Sequence, residues 1–296
     1  MEWTENLRKS IAFIESHLLD DITAEDVAKE VNVSSFYLQK GFKTITNYSI
    51  SEYIKNRRLY LAALELISKP NKVIDLAYKY GYETPESFSK AFSRFHGISP
   101  SRIKGDSRNI KLFLPLKITI SIQGGNDMDY VIEKMSSFKV IGFEKIFSME
   151  TSYQEIPKFW NEIREKYIAR LMAKGKPQND IEKAILNNHI GMLGISIDDI
   201  GSNGEFRYLI AGIYNSGEIP EGMVTYNLPD MEWAKFRCVG SLPGALQSVN
   251  TKIFNEWLPN NGEYKIAMGC NIEYYSKGNP NSSDYESAIW IPVERV

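Results

Sequence analysis

Cysteine is almost missing from this chain. Cys238 and Cys270 are the only two among 296 residues, and neither has a CxxC partner. A disulfide framework is thereby excluded, and a reducing, cytoplasmic setting is expected. The three histidines, His17, His96 and His189, are widely separated, so no metal site is expected. Long apolar runs are lacking too. The longest, Leu112–Ile122, is interrupted by Pro115 and Lys117 and falls short of the ~20 residues of a membrane span. The opening Met1–Ser10 carries Glu2, Glu5 and Arg8 and no apolar core, so no signal peptide is expected. The signatures GxGxxG, GxxxxGK[ST] and GxSxG do not occur, so neither a nucleotide cofactor nor a hydrolytic serine is expected, and the chain reads as a non-enzyme. Charge of either sign is close to balanced, with a net value of −2.

Apolar residues make up 43% and charged residues 24%, enough for packed cores, and the length points to two domains. The boundary falls where Ser107–Asn109 and Gly124–Asp127 form polar and turn-rich breaks. The expected division is an all-α domain over 1–106, a linker or bridging strand over 107–127, and an α+β domain over 128–296. Up to Asp106 there are 15 Lys/Arg against 14 Asp/Glu, so bulk charge gives little support to nucleic-acid binding. The clusters Lys40, Lys43, Lys55, Arg57, Arg58 and Lys90, Arg94, Arg102, Lys104 are more telling, because phosphate contacts need such groupings.

Two helix-turn-helix units follow one another. A first helix over about Thr4–Leu19 has Leu7, Ile11, Ile14 and Leu18 at helical spacing. Ile22–Lys43 is the first unit: Thr23 caps its first helix with Asp26 three residues on, Asn32 stops it, and Ser34 or Ser35 begins the reader helix Phe36–Phe42. Leu38 and Phe42 should face inward, leaving Phe36, Gln39, Lys40 and Lys43 outward. Gln suits adenine, Lys suits guanine or phosphate, and an aromatic ring suits a thymine methyl. A long helix, about Ser49–Ile67, ends at Pro70. Val73–Pro100 is the second unit, with Gly81 at the turn, Thr84 as cap and Pro85 in the first helical position. Phe88, Phe92 and Phe95 bury one face, while Glu86, Ser87, Lys90, Ser93 and Arg94 remain outward. Glu86 either accepts from a cytosine amino group or simply complements the helix dipole. Two such readers in one chain can enter successive major-groove segments roughly one helical turn (~34 Å) apart, so a monomer suffices for an asymmetric site.

These stretches, VSSFYLQKGFK, YIKNRRLYLAALELI and IDLAYKYGYETPESFSKAFSRFHGISP, resemble the DNA-binding domain of AraC/XylS-type transcriptional regulators. The resemblance implies base-reading positions at Phe36, Gln39 and Lys40 in the first reader and at Pro85, Glu86 and Lys90 in the second, flanked by Ser35, Lys43, Ser87, Arg94 and the phosphate-contacting Arg58 and Arg102. Lys40 and Lys90 depart from the arginine frequent there, and so lose its planar fork. Pro85 lacks a reading side chain, and His96 replaces a usual aromatic.

After Met128 the pattern becomes mixed. Strands are expected at Tyr130–Met135, Phe138–Phe147, Ile190–Ile197, Phe206–Tyr214, Met223–Asn227, Met231–Val239, Lys265–Tyr275 and Ala288–Glu294, with helices at Ile156–Arg170 and Leu242–Trp257. A strand–helix–strand–strand order occurs twice, suggesting a duplicated α+β unit. Leu112–Ile122 is a further candidate strand. Glu273 stands out as a carboxylate in an apolar strand, and by alternation it shares a face with Asn271 and Tyr275. A glutamate among aromatic walls favours organic cations.

The segments FKVIGFE, IPKFWNEI, FRYLIAGIY, IPEGMVTYNLPDMEWAKFRCVG, IFNEWLP and NIEYYS resemble the GyrI-like effector-binding domain. That resemblance implies a pocket between two repeats, with Glu273 meeting lipophilic cations, Trp160 and Trp233 as aromatic walls, and Tyr275 and Tyr214 beside them. The expected protein is a transcriptional regulator that binds double-stranded DNA and a small-molecule effector and contacts RNA polymerase. Two alternatives stay open: a GyrI-like hydrolase using Glu273 with Glu286 or Tyr275, and a module that binds a protein such as a toxin or gyrase.

Overall fold

The computed structural model describes residues 2–69, 71–103, 110–118, 128–199 and 204–296. The expected features at Pro70, Lys104, Ser107–Asn109 and Gly124–Asp127 lie outside these residues, as does the end of Leu112–Ile122. The chain forms two compact units. One joins residues 3–33 to 46–118. The other joins Ser34–Ile45 to residues 128–296. The second grouping departs from the order of the sequence, because a helix of the first half belongs to the unit built by the second.

The helical unit holds α1 (Glu2–Ser16), α2 (Ala24–Glu30), α4 (Ile50–Ser68), α5 (Val73–Lys79) and α6 (Pro85–His96). Local chemistry accounts for the ends of these helices. Thr23 and Asp26 form a reciprocal capping box at α2, and Ser49 and Glu52 form another at α4. Thr84 caps α6 ahead of Pro85, and Gly97 ends it with φ 75°, a left-handed conformation that costs glycine nothing. Leu59, Ala63 and Leu66 of α4 meet Leu76 of α5 and Phe88 and Phe92 of α6 in one core. His96 belongs to it: Nε2 donates to Leu59 O at 3.1 Å, Nδ1 accepts from Lys111 N at 3.3 Å, and burial lowers the imidazole pKa. His96 thus replaces an aromatic ring without a charge.

Residues 110–118 are not a strand. They pack as an arm on the helices, with Phe113 against Tyr48, Tyr53 and Phe95. Arg57 fastens this arm. Its guanidinium pairs with Glu15 through Nε at 2.7 Å and Nη2 at 2.8 Å and also donates to Phe113 O, while Tyr53 donates to Glu15 at 2.6 Å.

The other unit holds α3 (Ser35–Thr46) and the α+β half: β1 (Tyr130–Met135), β2 (Phe138–Ser148), α7 (Ser152–Ile163), α8 (Ala169–Lys174), α9 (Asp180–Asn187), β3 (Leu193–Ile197), β4 (Glu205–Ile213), β5 (Val224–Leu228), β6 (Met231–Val239), α10 (Gly244–Lys252), α11 (Leu258–Asn260), β7 (Tyr264–Ile266), β8 (Cys270–Tyr275) and β9 (Glu286–Arg295). Nine strands make one antiparallel sheet in the order β1-β6-β9-β8-β3-β4-β2-β5, with β7 on β9. The order is symmetric about the β8–β3 seam. β2-helices-β3-β4 lies on one side and β6-helices-β8-β9 on the other, which is the duplication expected from sequence. Each repeat's helical arm carries a π-helical turn, Arg164–Ile168 in one and Ile253–Trp257 in the other. Lys265–Tyr275 is not one strand: β7 and β8 both pair with β9 but are separate. α9 was not expected.

Replacing Glu15 with Ala leaves the Arg57 guanidinium buried without its carboxylate. Denaturant unfolding should show a loss of about 3 kcal/mol, and limited proteolysis should cut earlier within the arm carrying Phe113.

Candidate functional site

Directly paired residues of antiparallel strands share a face of the sheet. Gly194 of β3 opposes Glu273 of β8, Glu273 opposes Ile289 of β9, and Ile289 opposes Phe236 of β6. Asn271 and Tyr275 lie on that face with Glu273, as expected. The helical arms cover its two ends: Phe147 meets Phe159 of α7, and Phe236 meets Trp257. The seam between the arms carries the site.

Glu273 is half-buried and hydrogen-bonded there. Tyr275 donates to its Oε2 at 2.8 Å and Tyr208 of β4 at 3.4 Å. Trp160 of α7 donates from Nε1 to the Tyr208 hydroxyl at 2.9 Å, and its ring meets that of Tyr275 edge-on with centroids 5.2 Å apart. Burial, and then the Glu273 charge, push both phenol pKa values well up, so the hydroxyls stay protonated donors. Gly194 makes the cluster possible. A Cβ there would strike the Tyr208 hydroxyl and lie 3.3 Å from Glu273 Oε2. Asn271, 1% exposed, keeps a buried Oδ1 with no hydrogen-bond partner among the described residues. The cluster presents one anion on a floor of aromatic edges and phenols, with an acceptor to spare.

Three of the five expected effector-site residues, Glu273, Trp160 and Tyr275, therefore come together. Trp233 does not. It is three residues from Phe236 on β6 and so faces the opposite side of the sheet, 0% exposed, against Phe138 and Trp290. Tyr214 does not either. It lies six residues beyond Tyr208, roughly 20 Å along an extended strand; its hydroxyl donates to Gly217 O and Lys139 covers its ring. Tyr208 takes the place expected for these two. Even spacing from Phe206 is shared by Tyr208 and Tyr214, so alternation alone does not choose between them. Glu286 neighbours Ser287, which opposes Tyr275, so it faces away from Glu273 and pairs with Arg237. The paired-carboxylate arrangement of the hydrolase alternative is therefore absent between these two residues.

Helix α3 lies over this same seam. Its N-terminus is held by Asp198, which accepts from Phe36 N at 3.1 Å and Ser34 Oγ at 3.4 Å. Phe36 meets Phe206 edge-on with centroids 5.4 Å apart. Tyr37 donates to Cys270 O and packs beside Phe254. Asn250 of α10 reaches Thr44 at 3.4 Å. Lys40 lies 5.7 Å from the centre of the Phe36 ring; burial lowers its pKa while the attraction of Glu273 opposes that shift. Leu38 and Phe42 are buried as expected. Phe36 at 3% exposure and Gln39 at 8% are not outward as expected. They line a crevice with Met149, Asp198 and Phe206 that has no room for a water molecule. Ser35, Lys40 and Lys43 are half-covered. A base edge cannot reach Phe36 or Gln39 in this arrangement.

In the second helix-turn-helix unit Ser93 and Phe95 are half-buried, where the one was expected outward and the other buried. Glu86, Ser87, Lys90 and Arg94 are exposed along α6, Pro85 begins it, and Arg102 is exposed beyond it. Ser87 is tied into the cap, donating from Oγ to Thr84 O at 2.8 Å. Arg58 is a correction. Rather than a free phosphate contact, it donates to Leu18 O and Asp20 O, both at 2.6 Å, and binds the turn after α1 to α4.

Residues 128–294 match the family described as a GyrI-like small molecule binding domain, and residues 27–105 match a helix-turn-helix domain. Regulatory protein SoxS of Escherichia coli (strain K12) is 37% identical over 91 residues, which cover 31% of this chain and 85% of SoxS. The chain belongs to the AraC family of transcriptional regulators and carries a GyrI-like small-molecule-binding domain. The transcriptional activator AarP of Providencia stuartii is 34% identical to this regulator over 110 residues, 36% of the chain and 82% of AarP. Among solved structures, SAV2435 bound to tetraphenylphosphonium is 21% identical, with a TM-score of 0.45 over 56% of this regulator and 94% of that chain. No helix among the described residues is long and apolar enough to cross a membrane.

Gly194→Ala should force Tyr208 away from Glu273 and Trp160. Overpacking of this kind costs about 1–3 kcal/mol, to be read as a lowered denaturant midpoint.

Proposed function

We propose that this regulator senses a lipophilic organic cation at Glu273 and reads its operator through α3 and α6. The observation that carries the effector chemistry is the carboxylate of Glu273, held by two protonated phenols beside the Trp160 ring. A compact anion on an aromatic floor attracts a cation whose charge is sheathed in apolar groups. Charge and ring quadrupole act together, and little hydration has to be stripped from such a ligand. A strongly hydrated metal ion suits the site less well, because it would find one carboxylate and no second charged ligand.

On DNA, Lys90 and Glu86 of α6 and Phe36, Gln39 and Lys40 of α3 are the proposed base readers, with Ser35, Lys43, Ser87, Arg94 and Arg102 supplying positioning and phosphate contacts. The exposure of the α6 set supports this for the second reader. The first reader needs α3 uncovered. Contact with RNA polymerase and action in the cytoplasm, where regulator and promoter meet, complete the proposal. A non-enzymatic role fits relatives named as regulators and activators; of the two partners that hydrolysis would use, Glu286 is turned away to Arg237 and Tyr275 stays on Glu273.

Titration of the full chain with tetraphenylphosphonium by calorimetry tests the sensor. Glu273→Gln should weaken binding at least ten-fold, about 1.4 kcal/mol, with Trp233→Phe leaving it unchanged; equal binding by Glu273→Gln and the parent would move the site elsewhere. For DNA, Lys90→Ala should cost about 1–3 kcal/mol at a selected operator and relax sequence preference, whereas Arg102→Ala should weaken binding to all duplexes alike. Unchanged operator affinity in Lys90→Ala would remove α6 as a base reader.

A further inference from the structure

We infer that the reader helix α3 is itself an occupant of the effector site, so that effector and DNA act on one helix: the effector displaces α3 from the seam and thereby frees it for DNA. The inference rests on the sensor proposed above and adds its regulation.

The contacts on α3 form a docking site with several independent parts. Asp198 accepts from the Phe36 N–H in the first turn of the helix and from the Ser34 hydroxyl, a carboxylate placed where the helix dipole favours it. Phe206 receives Phe36, and the Cys270 carbonyl receives the Tyr37 hydroxyl. Asn250, from the other repeat's arm, meets Thr44 at the far end. Small residues permit the approach. Gly204 leaves Gln39 room, its missing Cβ standing 3.3 Å from Gln39 Oε1, and Gly269 leaves room for Ser34 and Asp198. The helix thus touches both repeats, meeting the β3–β8 seam where Asp198 follows β3 and Cys270 begins β8.

Lys40 gives the occupation its chemical meaning. Its ammonium shares the field of Glu273 and lies near the Phe36 ring. The docked helix carries a cation beside an aromatic ring, Lys40 by Phe36, and sets that ring on Phe206, two residues along β4 from the Tyr208 that holds Glu273. Phe36 on Phe206 and Tyr37 on the Cys270 carbonyl cover β4 and β8, the strands that supply Tyr208 and Glu273. A ligand that prefers the undocked state shifts the chain towards it by the difference of its two affinities, and its apparent affinity falls by the fraction of chains undocked. The same residues, Phe36, Gln39 and Lys40, are the proposed readers of the first helix-turn-helix unit, so docking and reading exclude each other.

The test is an accessibility measurement on the full chain carrying Gln39→Cys; the native Cys238 and Cys270 are fully buried. Alkylation of the introduced thiol is timed with and without tetraphenylphosphonium, with calorimetry reporting whether that probe binds. The expected result is slow labelling alone, at least ten-fold faster labelling with saturating probe, and no acceleration in the Glu273→Gln background. Asp198→Ala, which loosens the helix without touching Glu273, should speed labelling without probe and raise apparent probe affinity several-fold. Fast labelling without probe in the parent, matching that of the urea-unfolded chain, overturns the inference, as does probe binding that leaves labelling unchanged. Failure of the probe to bind at all sinks the cation-sensor reading instead. The Asp198→Ala arm then decides alone: faster labelling upholds α3 as occupant of the seam, and unchanged labelling overturns it.

Discussion

The pairing of β3 with β8 is the constraint on which the C-terminal half depends. It joins two repeats into one sheet, and its register decides which side chains share the seam. Gly194 stands opposite Glu273 because Leu193 stands opposite Tyr274. A slip of one residue would turn Glu273 into the opposite face, among Ile195, Leu209 and Ile272, where an unpaired carboxylate is costly. In the register observed, the missing Cβ of Gly194 admits the Tyr208 hydroxyl, and the phenols that hold Glu273 follow from that space. The setting of Glu273 thus rests on backbone pairing and on one glycine.

Helix α3 has to satisfy two demands with one sequence. Leu38 and Phe42 supply an apolar stripe that must be buried whatever else happens, and both are fully buried here. The remaining surface carries Phe36, Gln39 and Lys40, residues suited to a DNA groove and equally suited to an acidic, aromatic seam. An aromatic ring beside a cation finds complementarity wherever a carboxylate or a phosphate stands among apolar surfaces. This shared chemistry suits α3 both to the seam it meets here and to the DNA groove proposed for it.

Much of the helical half was legible because its signals are local. A cap acts on the next three residues and a glycine at positive φ acts on one peptide, so Thr23 with Asp26, Thr84 with Pro85, and Gly97 announce the helix ends in any surroundings. Period-two alternation placed Asn271, Glu273 and Tyr275 on one face for the same reason. The failures were long-range. Trp233 is as aromatic as Trp160 in the sequence, but the β6–β9 register turns it away. Arg58 belongs to a basic cluster in sequence, and the carbonyls that claim it lie some forty residues earlier, at Leu18 and Asp20. Tyr208 carried no mark distinguishing it from Tyr214 before β4 and β8 were placed two strands apart in one sheet.

The family, the two helix-turn-helix units, the α+β class of the second half and the shared face of Asn271, Glu273 and Tyr275 were all determined by the sequence, since each rests on spacing within a short stretch or on a motif spread along it. Tertiary structure alone decided what surrounds Glu273, which tryptophan faces it, and where α3 lies. Those outcomes depend on competition between distant surfaces for the same side chains, a balance of packing and electrostatics that no local pattern encodes.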